Sequence, residues 1–370
     1  MEKVKIDDVL KYEQPTKYIV ETENYDDSYN TPVLTAGKSF LLGYTNEEKG
    51  VFNEVPVIIF DDFTTSFHFV DFPFKVKSSA LKILKAVKDK ADIKYLYYKM
   101  QTIKFEAEQH KRYWISKYSQ IEIPLPPLAT QQRIAAILDQ ADDIIQNNRA
   151  IVQKYDALTQ SLFLDMFGDP VKNEKGWEKD ILGNHCSKIQ IGPFGSQLHL
   201  SDYVENGIPL VNPTNIKKDF IDYNNSVMIT EDKYNSLPNY HLKNNDIIMS
   251  RRGDLSKIGI VNKEKSFCGT GSLFLRLKRT LNPLFCYFML SHKSTIDVLY
   301  EKAQGITMPN LNKKIIINTS IYIPPINLQN QFAERVAMIE AQKQQAQLEL
   351  AKSEELFQSL LQRAFNGELN

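Results

Sequence analysis

Two stretches of the chain place mostly apolar residues at alternating spacings of four and three. The first runs Ile134, Leu138, Ala141, Ile145, Asn148, Val152, Tyr155, Thr159, Leu162, Met166; the second runs Phe332, Val336, Ile339, Lys343, Ala346, Leu350, Ser353, Phe357, Leu360, Ala364. This alternation lays one stripe along a helix and predicts a coiled-coil seam. Its apolar members are Ile134, Leu138, Ile145, Val152 and Leu162 on one helix and Phe332, Val336, Ile339, Leu350, Phe357 and Leu360 on the other. Each helix follows a Pro-Pro pair, Pro126-Pro127 or Pro324-Pro325, which suits a helix entrance and not its interior. About 35 residues of helix span roughly 50 Å at 1.5 Å per residue. The two can pair with each other as an antiparallel spacer of fixed length, or each can pair with a second copy of the chain. Asn148, Thr159, Lys343 and Ser353 interrupt the stripes. Either they set register across the seam or they reach solvent where the helices splay.

The helical stretches are copies of one another. Displaced by 198 residues, 126–169 and 324–367 align without a gap, with about a quarter of positions identical. Identity falls at punctuation: the Pro-Pro pairs, Gln131 with Gln329, Gln160-Ser161-Leu162 with Gln358-Ser359-Leu360, and Phe167 with Phe365. Before each helix lies a segment of short apolar or alternating runs bounded by Gly, Asn and Asp, which reads as strands and turns. The runs are 55–60 and 66–76 in the first segment, and 245–250, 258–262 and 272–278 in the second. Each segment also carries one expected helix near its end, over 81–101 and 282–303. The segments open alike, at Glu2-Lys3 and at Trp177-Glu178-Lys179, and close alike, at 121–125 and 321–324, in a strand that leads into prolines. The pattern is α+β: two mixed globules, 1–120 and 171–320, alternating with helical regions 121–170 and 321–370.

Composition narrows the class. Forty-five basic residues balance forty-five acidic ones, which argues against coating nucleic acid through a bulk positive field but leaves local patches open. Twenty Phe and eighteen Tyr require a packed core. No run reaches the roughly 18 apolar residues of a membrane helix, and MEKVKIDDVLKYEQ is charged where a signal peptide is apolar. A cytoplasmic protein with no membrane partner is expected. Its three scattered cysteines, Cys186, Cys268 and Cys286, are expected as reduced thiols.

No catalytic constellation and no metal site is read from the sequence. Ala36-Gly37-Lys38-Ser39 ends like a phosphate-binding loop, but Pro32 stands where its first glycine belongs. The histidines lack zinc-site spacing with cysteine; His185-Cys186 reads as packed strand. Candidate binding loops are present instead. Phe194, Ser196 and Gln197 belong to a turn with two glycines, and Arg251 and Arg252 follow a strand. Arginine forks suit guanine edges and phosphates, unless these arginines pair with Asp254 or Glu231. Lys38 and Ser39, and Thr64, Thr65 and Ser66, occupy comparable loops of the first globule.

The chain resembles a specificity subunit of a type I restriction-modification enzyme. The resemblance spans nearly the whole length and rests on IPLPPLATQQRIAAILDQAD (123–142), IPPINLQNQFAERV (323–336), GPFGSQL (192–198), DIIMSRRG (246–253) and AFNGEL (364–369). It implies two target-recognition domains, each reading half of a bipartite double-stranded DNA sequence. It implies helical regions that set the spacer and dock two methyltransferase (modification) subunits, with restriction/translocase subunits completing the assembly. The chain itself is then non-catalytic and holds no cofactor; S-adenosylmethionine, ATP and Mg belong to the partner subunits. The first globule lacks the Gly-Pro-Phe-Gly loop of the second, so its reading loops are placed by position alone. A methyltransferase or nuclease with degenerate motifs, and a coiled-coil interaction protein whose globules bind other proteins, remain as alternatives.

Overall fold

The strand and helix patterns resolve, in a computed structural model, over residues 2–37, 39–104, 113–218, 220–305 and 308–369. The backbone divides into two units, one formed by 1–150 with 347–370 and the other by 151–346. Each unit therefore takes one globule together with part of each long helix.

In the first unit the opening strand Glu2–Lys5 pairs antiparallel with the closing strand Glu122–Leu125. The similar beginnings and ends read in the sequence are a clasp. Inside it lies an antiparallel sheet in the order Leu10–Glu13, Leu81–Ala86, Val57–Asp61, Phe67–Val70. Thr31–Leu34 pairs in parallel with Lys75–Val76. The run 66–76 is thus two strands that serve different sheets. Leu81–Ala86 is a strand and not the start of a helix. It is central, and Leu81 through Leu84 are all buried, so it lacks the alternation that marks a half-buried strand. The helix begins at Ile93, where the Asp92 carboxylate accepts from the Tyr95 N–H at 2.9 Å. Ile58, Phe60, Leu84, Tyr95 and Trp114 form one core with Ile134, Leu138, Phe357 and Leu361 of the long helices.

The second unit repeats the plan. Lys179–Ile181 clasps Ser320–Tyr322. The main sheet runs Cys186–Ile191, Ser272–Leu277, Ile247–Ser250, Ile258–Ile260, and Ile208–Val211 pairs in parallel with Ser266–Cys268. The helix expected over 282–303 is two, Pro283–Ser291 and Lys293–Lys302. His292 leaves the helical region at φ −64°, ψ 140° and caps the second with its ring.

The long helices, Leu128–Phe167 and Ile326–Phe365, have 40 residues each, longer than expected. They pair within the chain, antiparallel in each unit. In the first, Asn148 Nδ2 donates to Ser353 Oγ at 3.3 Å and Arg149 meets Glu354 at 2.7 Å. In the second, Phe163 packs on Phe332 and Lys343 Nζ sits 2.6 Å from Asp156 Oδ1. Three of the four polar interruptions thus have cross-helix or register-setting partners, while Thr159 bonds back to its own helix at Tyr155 O. Ile134, Leu138, Ile145, Phe332, Val336 and Phe357 are buried as expected; Val152, Leu162, Ile339, Leu350 and Leu360 are partly so. Beside two of these, Phe163 and Leu361 take the buried place, because a 3.6-residue turn drifts against a 3.5-residue repeat. Ile144, Ile151 and Leu158, which lie outside the seam stripe, are exposed.

Candidate nucleic-acid interface

The candidate loops of the second globule leave one end of its main sheet. Ser250 faces Ser272 in the last rung, and beyond it the Arg251 N–H donates to Gly271 O at 3.0 Å. On the other side of the same strand, the Gly192 N–H donates to Ser272 O at 2.9 Å. Arg251 and the Gly-Pro-Phe-Gly turn therefore stand in one row across the sheet end. A Cβ at Gly192 would fall 1.9 Å from Gly269 O, so only glycine lets the loops approach this closely. A fourth segment joins them: the Leu311 N–H donates to Arg251 O at 2.8 Å, and the Gly253 N–H to Pro309 O at 3.1 Å.

Side-chain roles differ within this row. Phe194 is 69% exposed, and Ser196 and Arg252 are exposed. Gln197 is turned inward: its Oε1 accepts from the Phe194 N–H at 3.1 Å and from the Tyr240 hydroxyl at 2.9 Å, which makes it a brace for the loop. Arg251 is only 7% exposed, and its Nε has no hydrogen-bond partner among the described residues. Burial, and then the like charge of Arg252, push its pKa down. Neither acid considered from the sequence is engaged with these arginines: Glu231 pairs with Lys265 at 2.6 Å, and Asp254 Oδ1 accepts from Ser256.

The first globule builds its row on the same backbone. Asp61 N–H donates to Ser66 O at 2.8 Å, as Ser250 N–H does to Lys257 O at 2.8 Å. Asp62 N–H donates to Ala80 O, and Tyr113 N–H to Asp62 O, matching the bonds of Arg251 one for one. The hairpin carrying Thr64, Thr65 and Ser66 is thus the counterpart of the one carrying Arg251 and Arg252. Ser66 Oγ donates to Ala36 O at 2.7 Å and lies 2.8 Å from Thr64 Oγ1, which brings in the turn holding Ser39. Thr64 and Ser39 are exposed, and Thr65 takes a φ of 59°. Lys38 lies outside the described residues.

Asp62 behaves unlike Arg251. It is 3% exposed, accepts from the Trp114 N–H at 2.9 Å, and faces Lys82 at 3.6 Å, itself buried. The equivalence of Asp62 with Arg251 was missed from sequence, since it depends on a strand register that no local pattern records. Met308, which is exposed, and Asn310, whose Oδ1 has no partner among the described residues, were missed for the same reason. Among the described residues no group of three or more His, Cys, Asp or Glu is placed to hold a metal ion. Among them also, no helix is long and apolar enough to cross a membrane. Burial pushes the Cys186 thiol up to about 12, which makes it a packing group at neutral pH.

The family model for the type I restriction modification DNA specificity domain matches residues 1–154 and again 198–350, each match covering most of a globule and the first part of its following helix. The chain belongs to that family. It is 31% identical over 364 residues to the type I restriction enzyme EcoR124I/EcoR124II specificity subunit of Escherichia coli, covering 88% of this chain and 83% of that one. It is 24% identical to the MjaVIII specificity subunit of Methanocaldococcus jannaschii, covering 95% and 90%. The fold is that of the type I S subunit from M. genitalium, with a TM-score of 0.60 at 16% identity over 98% of this chain and 96% of that one. A chain solved in a study of complex assembly and conformational transition of the type I system has a TM-score of 0.61 at 16% identity, with 99% and 98% covered. Two globules and two long helices are thus the architecture of this specificity-subunit family.

Proposed function

We propose that this chain is the sequence-reading, non-catalytic component of a cytoplasmic type I restriction-modification assembly. Domains 1–120 and 171–320 each read one half of a bipartite duplex target through the loops at their sheet ends. The helical regions 121–170 and 321–370 set the spacer and dock two methyltransferase subunits. Exposed Ile144, Ile151 and Leu158 offer apolar surface for that docking. S-adenosylmethionine, ATP and Mg belong to the modification and restriction subunits. The observation that carries the reading is one backbone frame used twice with different side chains at its open end, as two unlike half-sites require.

The test is methylome sequencing of cells carrying this chain with its cognate modification subunit, against cells lacking only this chain. The expected outcome is a two-part motif with N6-methyladenine in each half, present only with the chain. An unchanged methylome together with failure to capture the modification subunit would overturn the proposal.

A further inference from the structure

We propose that Arg251 is a specificity-determining residue of the second globule, reading a guanine edge, whereas the equivalent position of the first globule, Asp62, is closed and reads nothing. This rests on the DNA-reading function proposed above.

The argument begins with satisfaction of charge. A buried charged side chain is costly unless paired and hydrogen-bonded. Asp62 meets that condition through Lys82 and the Trp114 N–H. Arg251 does not: among the described residues its buried Nε has no hydrogen-bond partner and no carboxylate forms an ion pair with it, although the residue is only 7% exposed. Nearby, where Asn310 is bridged to Arg252, Asn310 Oδ1 is a second buried atom without a partner among the described residues, and it is an acceptor. Unmatched groups at the open end of the reading loops await groups from a ligand.

Geometry selects among ligand groups. The backbone of Arg251 is held on both sides, by Gly271 O and the Leu311 N–H, and the residue is only 7% exposed, which leaves the fork little freedom. A fixed fork matches the O6/N7 acceptors of guanine. An exposed neighbour on the same turn, Arg252, suits the sequence-independent work of holding phosphate. The two adjacent arginines thus divide recognition between them.

The experiment uses the chain assembled with its modification subunit and a duplex pool randomised in both half-sites. Arg251→Gln and Arg251→Lys are expected to lose about ten- to hundredfold discrimination at one G·C pair of one half-site, with the other half-site unchanged. Arg252→Gln is expected to weaken all sequences alike and to lower the salt dependence by about one phosphate contact. Selection retained at the remaining positions of the same half-site reports that the altered globule is folded. Uniform weakening by Arg251→Gln would assign it to phosphate and overturn the proposal. Unchanged selection would make it structural and overturn it too. If the unaltered assembly selects no sequence at all, the DNA-reading function itself falls, a result distinct from both.

Discussion

The two globules hydrogen-bond the residue after their third sheet strand in the same way and then place opposite charges on it, Asp62 in one and Arg251 in the other. A second equivalent pair is kept identical. Gln131 Oε1 accepts from the Asp92 N–H, and its Nε2 donates to Lys90 O and Pro126 O. Gln329 does the same with the Asn282 N–H, Thr280 O and Pro324 O. Both glutamines are fully buried, and each ties the helix entrance to the cap of the preceding helix. The difference between these two pairs teaches where the duplicated frame can diverge. Positions that satisfy backbone groups stay the same, because any other side chain leaves several polar groups buried and unpaired. At the sheet end the backbone of the residue itself is bonded alike in both copies, while the side chains differ in duty: Asp62 serves the Trp114 N–H, and Arg251 serves no backbone group among the described residues.

That contrast can be broken most sharply at its ends. Asp62→Ala is expected to destabilise the first unit by about 3–5 kcal/mol, because Lys82 is left buried without its carboxylate. Arg251→Met is expected to leave the second unit unchanged or raise its stability by about 1 kcal/mol, since no partner is lost. Denaturant unfolding followed by hydrogen exchange in each unit measures both; equal losses would erase the distinction. Next in size, Gln131→Ala and Gln329→Ala should each cost about 2–3 kcal/mol. The same measurement applies, and a loss in only one copy would show that the frames are not equivalent.

The helix seam sharpens the comparison with a smaller effect. At the polar stripe positions the first unit uses the neutral Asn148–Ser353 pair, with its charged Arg149–Glu354 contact out in solvent, and the second uses the buried Lys343 paired with Asp156. Burial raises the pKa of Asp156, but Lys343 at 2.6 Å and Lys218 at 3.3 Å outweigh it and hold the carboxyl below its ordinary 3.8. Stabilisation from a lowered carboxyl is complete above that value and is lost as pH falls through the lower folded value. Asp156→Asn should therefore cost about 1–2 kcal/mol at neutral pH, with the difference from the unaltered chain vanishing in strong acid. Asn148→Ala should show a difference that does not depend on pH. Unfolding curves across the acid range separate the two, and a pH-independent Asp156→Asn cost would remove the charged contact from the account.

Much of the frame was legible because duplication repeats its punctuation. The Pro-Pro entrances, Gln131 with Gln329, and the like openings and closings mark the helices and the clasp strands. Strand 81–86 was not legible, since a strand buried on both faces carries no period. The break at His292 falls in the polar run Ser291-His292-Lys293-Ser294-Thr295, which contains neither the Gly nor the Pro that ordinarily marks a helix break. At the candidate site the loops were legible from glycines and arginines, but roles within them were not. Gln197 turned out to be a brace and Ser66 a tie between hairpins, both through contacts with residues distant in sequence.

From the sequence by itself came the periodicities, hence two long helices, two strand-rich globules and their common origin, because helix and strand periods and cap residues are local properties of the chain. Tertiary structure alone decided which strand-end residues are equivalent, that Asp62 is neutralised while Arg251 is not, and which seam residues meet. Those depend on strand register and on which distant groups share a buried space, and neither is written in any local stretch of residues.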